Sequence, residues 1–372
     1  MELKPDFAFT PLPSINRSLL FSVAGPAASP LGLLEGLKGT WIGNGFNVIW
    51  RPFQGGPPNQ DRFLELNLTE EILRFEEIPG PIPNRGLLQP DINMFGLWYL
   101  QTIADANIKA NGRPAGLHLE PGIWAVVPQT EHPQEVPTVV RMASIPHGTT
   151  IIAQGVASTS QEGPHITDIN ITPFVIGNPA KPVAFPESNL SIPSEFRTPR
   201  EGLAGIDQAF VDNPNVVLKR ALHGTPIKNT VALTVSSDAG TPVFGGGLAN
   251  TAFLQGSPNE GPNAQAALVT ATFWIETTQG PVADGPDFHQ LQYTQTVLLN
   301  FNGLSWPHIT VATLLRSSPY SVSRGDTLSS IALQFYGDGA EPLWRKIYNA
   351  NTAVIGPDPD VILPGQQLNI PT

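Results

Sequence analysis

The sequence predicts a mainly β protein, a large antiparallel β-barrel followed by a small βααβ domain. Three observations carry that expectation. Gly and Pro number 35 and 39 in 372 residues, yet 41% of the chain is hydrophobic. A chain that apolar and that rich in turn-formers builds strands joined by turns rather than long helices. Runs of β-forming residues also recur between turn signals, at Val139–Ser144, Thr149–Ala153, Val231–Val235, Ala267–Glu276, Gln292–Phe301 and His308–Leu315. So many strands with so few helix-period segments point to a closed barrel or a large sandwich. Finally, the texture changes at Ser317-Ser318-Pro319, after which helical spacing sets in.

Taken in order, the first residues do not read as a secretory signal. Pro5, Pro11, Pro13, Asn16 and Arg17 interrupt the apolar stretch, and Leu19–Ala28 is short and displaced from the start. No run reaches the ~18 apolar residues of a membrane span. The expected location is therefore cytoplasmic, with association to the cell envelope as the alternative. Helix candidates before Pro319 are Ser29–Leu37, Gln89–Asp105 and Gly205–Phe210. Pro173–Pro199 reads as a long surface loop or a seam between two β lobes. Gly245-Gly246-Gly247 lacks a following Lys and reads as a turn. Residues 1–318 are expected to form the barrel and 319–372 the second domain.

In that second domain Tyr320-Ser321-Val322 starts a strand, ended by Gly325-Asp326. Thr327 is a helix N-cap, and Leu328, Ile331, Ala332 and Phe335 follow at helical spacing. Gly337-Asp338-Gly339 stops that helix, and Leu343, Trp344, Ile347 and Tyr348 mark a second. After the Pro364-Gly365 turn, Gln367–Ile370 closes the unit. With GDTL, YGD, W-x-x-I-Y-x-A-N and P-G-Q-x-L-x-I-P in that order, Tyr320–Pro371 resembles a LysM domain over its whole length. The resemblance implies binding of N-acetylglucosamine polymers such as peptidoglycan or chitin. It places Gly325, Asp326, Thr327 and Leu328 on one side of a groove and Ile362, Leu363 and Pro364 on the other. The YGD and W-x-x-I-Y-x-A-N pattern also resembles LysM domains of intracellular proteins, for which a protein partner is the alternative. The Pro-containing junction is expected to let this module fold independently.

Four segments of the first three hundred residues resemble the nitrobindin family of haem-holding barrels. They are Leu34–Trp50 with G-x-W-x-G-x-G, Gly116–Pro128 with H-x-E-x-G, the hairpin Val139–Gly155, and Ser305–Arg316 with Pro307-His308. The first of them is similar also to the wider fatty-acid-binding and lipocalin barrels, which belong to the calycins. The resemblance implies a barrel that holds haem b, with His308 as the iron ligand. The chain is about twice the family's length, so Ile169–Asn263 would be an insertion or extra strands. Ala125 also stands where the family usually carries a basic residue.

Read without the family, the same residues describe a barrel with a pocket. His118 and Glu120, two apart in a strand, share a face and bring an imidazole and an acid together. Trp41 lies on an apolar interior edge, and Arg141 sits within an apolar run, pointing either into a polar cavity or outward. His118, Glu120, Trp41, Arg141 and His308 are thus the candidate ligand-binding residues. His147, between Pro146 and Gly148, reads as a turn residue. His308 shares its strand face with Thr310, Ala312 and Leu314, small enough beside it to admit a flat macrocycle.

Composition narrows the function. A net charge of −11, with 20 scattered Lys and Arg, argues against a nucleic-acid partner. With no cysteine, disulfides, thiolate metal sites and cysteine nucleophiles are excluded. No Walker loop, G-x-S-x-G elbow or H-E-x-x-H motif is present. Two readings follow. The barrel holds haem or another apolar ligand while the LysM module tethers it to a glycan or a partner; any catalysis would then be haem-dependent chemistry of peroxide or nitrogen oxides. Alternatively the barrel is filled by its own side chains, and the protein is a non-catalytic scaffold associated with an envelope or an assembly.

Overall fold

The computed structural model describes residues 29–57, 60–238, 244–279 and 287–372; the stretch Leu19–Ala28 considered above lies outside the described residues. Ten antiparallel strands run in chain order around a closed barrel. They are β1 (Gly39–Pro52), β2 (Arg62–Glu77), β3 (Ile92–Ala110), β4 (Arg113–Val127), β5 (Thr138–Ile145), β6 (Thr149–Ser160), β7 (Ile227–Ser236), β8 (Gln265–Thr278), β9 (Phe288–Phe301) and β10 (Leu304–Ser321). β1 pairs with β10 from Thr40↔Ser317 to Ile49↔His308 and closes the ring. Gly43 and Gly45 allow this closure. A Cβ at either position would sit 2.1 or 2.2 Å from the carbonyl oxygen of Thr313 or Val311.

Two sequence readings need correction here. Gln89–Asp105 is not a helix; most of it belongs to β3, whose Leu97, Tyr99 and Ile103 are buried at alternate positions. Outward-facing Trp98 and Leu100 blur the period of two. Gly245–Asn250 is not a turn but a short strand pairing with β6, close-packed at Gly246, where a Cβ would lie 2.1 Å from the oxygen of Ile152. The segment Ile169–Asn263 divides. Residues 161–226 leave the barrel between β6 and β7, and the chain then returns as a stave.

That excursion coats the outside of the β1–β10 seam. Phe46, Val48, Trp50, Ile309 and Val311 point outward and are buried with Ile166, Val211 and Leu218. Trp50 Nε1 donates to the carbonyl of Ile171 at 3.0 Å, and Phe185 stacks on Trp306 at 5.2 Å. Arg197 fastens the loop by donating to the carbonyls of Glu187, Asn189 and Ile192. Two short helices, α1 (Gln208–Asp212) and α2 (Val216–Leu222), complete the coat; Asp207 caps α1 by accepting from the Phe210 amide.

The barrel interior is filled at one end and open at the other. The 3-10 helix Gly32–Leu37 plugs the filled end with Leu34 and Leu37, and Trp41 Nε1 donates to the Leu37 carbonyl at 2.7 Å. Above the plug, Trp124, Phe273 and Tyr293 pack ring against ring at 5.3 and 5.0 Å.

The last domain is continuous with the barrel. β10 runs without interruption through Pro319, and its final residues, Ser317–Ser321, pair with β11 (Gln367–Pro371). Between them lie α3 (Leu328–Tyr336), started by a Thr327–Ser330 capping box, and α4 (Glu341–Asn349). Phe288 of β9 joins the small domain's core and meets Tyr336 edge-on at 5.3 Å. The Thr372 amide donates to the Arg316 carbonyl at 2.7 Å. The expected domain boundary at 318/319 thus falls inside one continuous strand.

Candidate functional site

Three histidines from three different strands or turns line the open end of the barrel. A cavity of about 300 Å³ lies there, walled by Ile49, Ile103, Ile145, Ile151, Val297 and Leu299 and by His118, His147 and His308. Its volume stands at the lower bound of the range in which small molecules are held, ~300–1,000 Å³. Leu254, on the four-residue helix Ala252–Gln255, closes the mouth. That helix rests on the Pro146–Gly148 turn, where the Thr251 amide donates to the Gly148 carbonyl at 2.8 Å.

His308 enters the cavity from the start of β10. Its Nε2 donates to Asn47 Oδ1 at 3.0 Å, which also accepts from Thr310 Oγ1 at 2.9 Å. Asn47 in turn donates to Asn67 Oδ1, and Asn67 Nδ2 donates to Asp105 Oδ2 at 2.8 Å. The ring is therefore held by its N–H, and the nitrogen carrying the free lone pair is Nδ1. Burial, with His118 and His147 close by, pushes its pKa down to about 3. His308 is neutral throughout the physiological range.

His118 and His147 stack at 5.6 Å between ring centres. Burial and the nearby His118 lower the His147 pKa. His118 Nε2 lies 3.2 Å from Glu120 Oε2, so the shared strand face does bring acid and imidazole together. Glu120 is buried with Arg141, whose Nη2 donates to Glu120 Oε1 at 2.5 Å and whose Nη1 donates to Gln295. Burial alone would raise the Glu120 carboxyl, but the Arg141 guanidinium and His118 hold it at about 2. Burial works against the Arg141 charge as well, and Glu120 outweighs it. Tyr99 donates to Glu120 and accepts from Arg141 Nε at 2.9 Å. A second set sits beside it: Tyr293 donates to Glu71 Oε2 at 2.5 Å, and Gln101 Nε2 donates to the Tyr293 oxygen at 2.8 Å. Burial raises the Glu71 pKa. Together these two networks form the polar floor between cavity and filled core.

Five residues were expected to bind the barrel ligand, and the structure separates them. His308 and His118 line the cavity. Glu120 and Arg141 lie in the floor, where each neutralises the other; a free cation is not what Arg141 offers. Trp41 is corrected outright, because it lies in the filled end against Leu37. Strand period told which face it takes but not at what depth. His147 was missed as a lining residue, although a histidine on a tight hairpin at a barrel's rim is the signal that would have marked it.

A neutral, enclosed imidazole with one free lone pair and a fixed N–H partner is what an axial iron ligand needs. No group of three or more His, Asp or Glu poised to hold a bare metal ion occurs among the described residues.

In the small domain, the backbone bonds Val322 N to Gln366 O and Gly365 N to Val322 O set the two expected groove loops side by side. Gly325, Thr327, Leu363 and Pro364 are exposed there, and Ile362 is partly buried against the domain core. Asp326 braces its own loop, accepting from Tyr320 Oη at 2.8 Å and the Ser323 amide at 2.7 Å. Leu328 is a correction: its side chain is buried in the core and cannot line a groove.

Comparison with known proteins agrees on this domain. Residues 320–371 match the LysM domain family. A 52-residue stretch, 14% of the chain, is 48% identical to the Potassium binding protein Kbp of Escherichia coli O6:H1 and spans 33% of that protein's length. Among solved structures, Rv2717c from M. tuberculosis superposes with a TM-score of 0.35 at 15% identity, over 78% of this chain and 99% of that one. A likeness at that level transfers no ligand.

Proposed function

We infer that the protein joins two binding sites: a barrel cavity for an apolar ligand, with haem b as the occupant its residues suit, and a LysM groove for N-acetylglucosamine glycan. One observation carries the barrel reading. An apolar-walled cavity is left open at the one place where three histidines converge, while the rest of the interior is filled. His308 would hold the iron through its free nitrogen. Bound haem would supply the capacity to take a diatomic molecule or a peroxide. The chain's own residues do the rest. Asn47, itself held by Thr310, fixes the His308 ring, the isoleucine and valine walls exclude water, and the stacked His118–His147 pair offers exchangeable protons. Glu120, anchored by Arg141, holds the His118 ring in place. The glycan reading rests on the LysM match and on the exposed pair of loops at Gly325–Thr327 and Leu363–Pro364.

The filled lower half of the barrel favours the scaffold reading to the extent that most of the interior already has an occupant. Titration with hemin separates the two. The wild type should develop a Soret band, and His308→Ala should weaken binding and move the band. No band in the wild type, or an unchanged band and affinity in the variant, would refute the haem assignment. Calorimetry with N-acetylglucosamine oligomers tests the groove in parallel, and heatless mixing at millimolar oligomer would refute it.

A further inference from the structure

We propose that the cleft between the barrel and the LysM domain is a second binding station, an outer site for the same amphipathic ligand as the cavity, from which the ligand passes into the barrel through the bulged stretch of β3 and β4. This rests on the cavity-binding reading above. The cleft measures about 1270 Å³, several times the cavity's 300 Å³. Its banks belong to different domains, yet they are fixed relative to each other. β10 crosses from one to the other unbroken, Phe288 is shared, and Thr372 is bonded back onto Arg316. A site built between such banks is preorganised.

Its lining has the chemistry of a half-apolar ligand. Ile72 is 45% exposed, Leu315 38% and Val354 46%, three large apolar side chains facing into the cleft from both banks. Exposed apolar side chains gathered in one concavity mark a contact surface. The polar edge is supplied by Asn349 and by the charged Glu70, Arg113 and Lys346, while the Asn44 amide already donates to the Thr69 carbonyl.

The decisive feature is the shared wall. Ile103 and His118 border both the cleft and the cavity. The strand ladder is broken at that point: Ile103 pairs with His118 and Ala104 with Gly116, leaving Leu117 bulged, and a second irregularity follows between Asp105 and Lys109. An irregular ladder has fewer hydrogen bonds to break than a continuous one, so this stretch opens at lower cost than any regular pair of staves. The competing entrance is the mouth under Leu254.

Stopped-flow mixing of the full-length protein with hemin, and separately with a dansyl fatty acid, decides between them. Thr102→Trp fills the cleft from the barrel bank and Val354→Trp from the LysM bank; both positions lie on the surface, so one variant stands in if the other fails to fold. In each variant association and dissociation should slow together by about tenfold, within the decades over which association rates vary among variants of one complex. The affinity of the cavity itself should stay as in the wild type, since the final site is untouched, while the second, outer equivalent of probe that the wild type binds should be lost in both variants. Unchanged rates in both variants, with faster exchange in Leu254→Ala, would overturn the proposal and place the entrance under the lid. Failure of the wild type to bind either probe would instead overturn the cavity reading, and this inference with it.

Discussion

Glu276→Gln should leave the protein's stability unchanged in acid and raise it in alkali. Glu276 is completely buried on the outward face of β8. Its Oε2 accepts from Gln290 Nε2 at 2.6 Å, while its Oε1 meets no partner. Burial, against only that one hydrogen bond, raises its pKa from 4.5 to about 8. The sign follows from linkage. Below pH 4.5 both folded and unfolded chains carry the proton and the residue contributes no pH dependence. Between 4.5 and 8 the unfolded chain ionises and the folded one does not, so stability falls by about 1.4 kcal/mol per pH unit. Above pH 8 the loss levels off at about 5 kcal/mol, an upper bound from the full difference between the two values. Glutamine is neutral at every pH and nearly isosteric with the protonated acid, so it escapes that loss. Thermal melts of both proteins from pH 4 to 9 should coincide at the acid end and diverge steadily above pH 5. The variant should melt higher by several degrees at pH 8.5, at roughly 2 °C per kcal/mol for a chain of this size. Parallel melting curves across the whole range would refute the burial of an unpaired carboxyl at this position.

Two further outcomes follow from the same contacts. Phe288→Ala removes a ring that belongs to the barrel by sequence and to the LysM core by packing, at a cost of about 3–5 kcal/mol; calorimetry should show one cooperative transition in the wild type and a downward shift in the variant, and two separated transitions in the wild type would refute the shared core. Asn47→Ala frees the His308 N–H and should weaken hemin binding about 10–100-fold, as loss of a ligand's supporting partner does, and unchanged affinity would show that Asn47 does not orient the ring.

The sequence made the barrel legible because its inward residues alternate in β1 and β10, where Gly43 and Gly45 also announce a close approach. It made the LysM unit legible through caps and turns that act locally, such as Thr327 with Ser330 and Gly337 with its left-handed backbone. What stayed hidden was decided at a distance. β3 lost its period of two because Trp98 and Leu100 face outward. Pro319 looked like a break, yet a proline is tolerated where its strand edge needs no donor, and Pro319 lies opposite Asn369 in a regular pair. Depth along the barrel axis is likewise invisible to periodicity. Trp41 and His308 lie on paired neighbouring strands with inward side chains, and only the positions of the Leu34–Leu37 plug and the Leu254 lid determine that one is core and the other cavity.

β10 is the element that makes one molecule of these parts. It carries His308 at its start, closes the barrel against β1 along its middle, and supplies the first strand of the LysM domain at its end. Twelve residues separate His308 from Tyr320, about 40 Å of extended chain. The cavity's histidine and the LysM loops therefore stand well apart on one scaffold. What the strand fixes is orientation. The His308 face of β10 points into the barrel while Leu315, on the opposite face, points into the cleft. A hinged tether would let the glycan-binding domain swing and would erase the cleft. A shared stave instead sets the cleft beside the bulged stretch of the barrel wall.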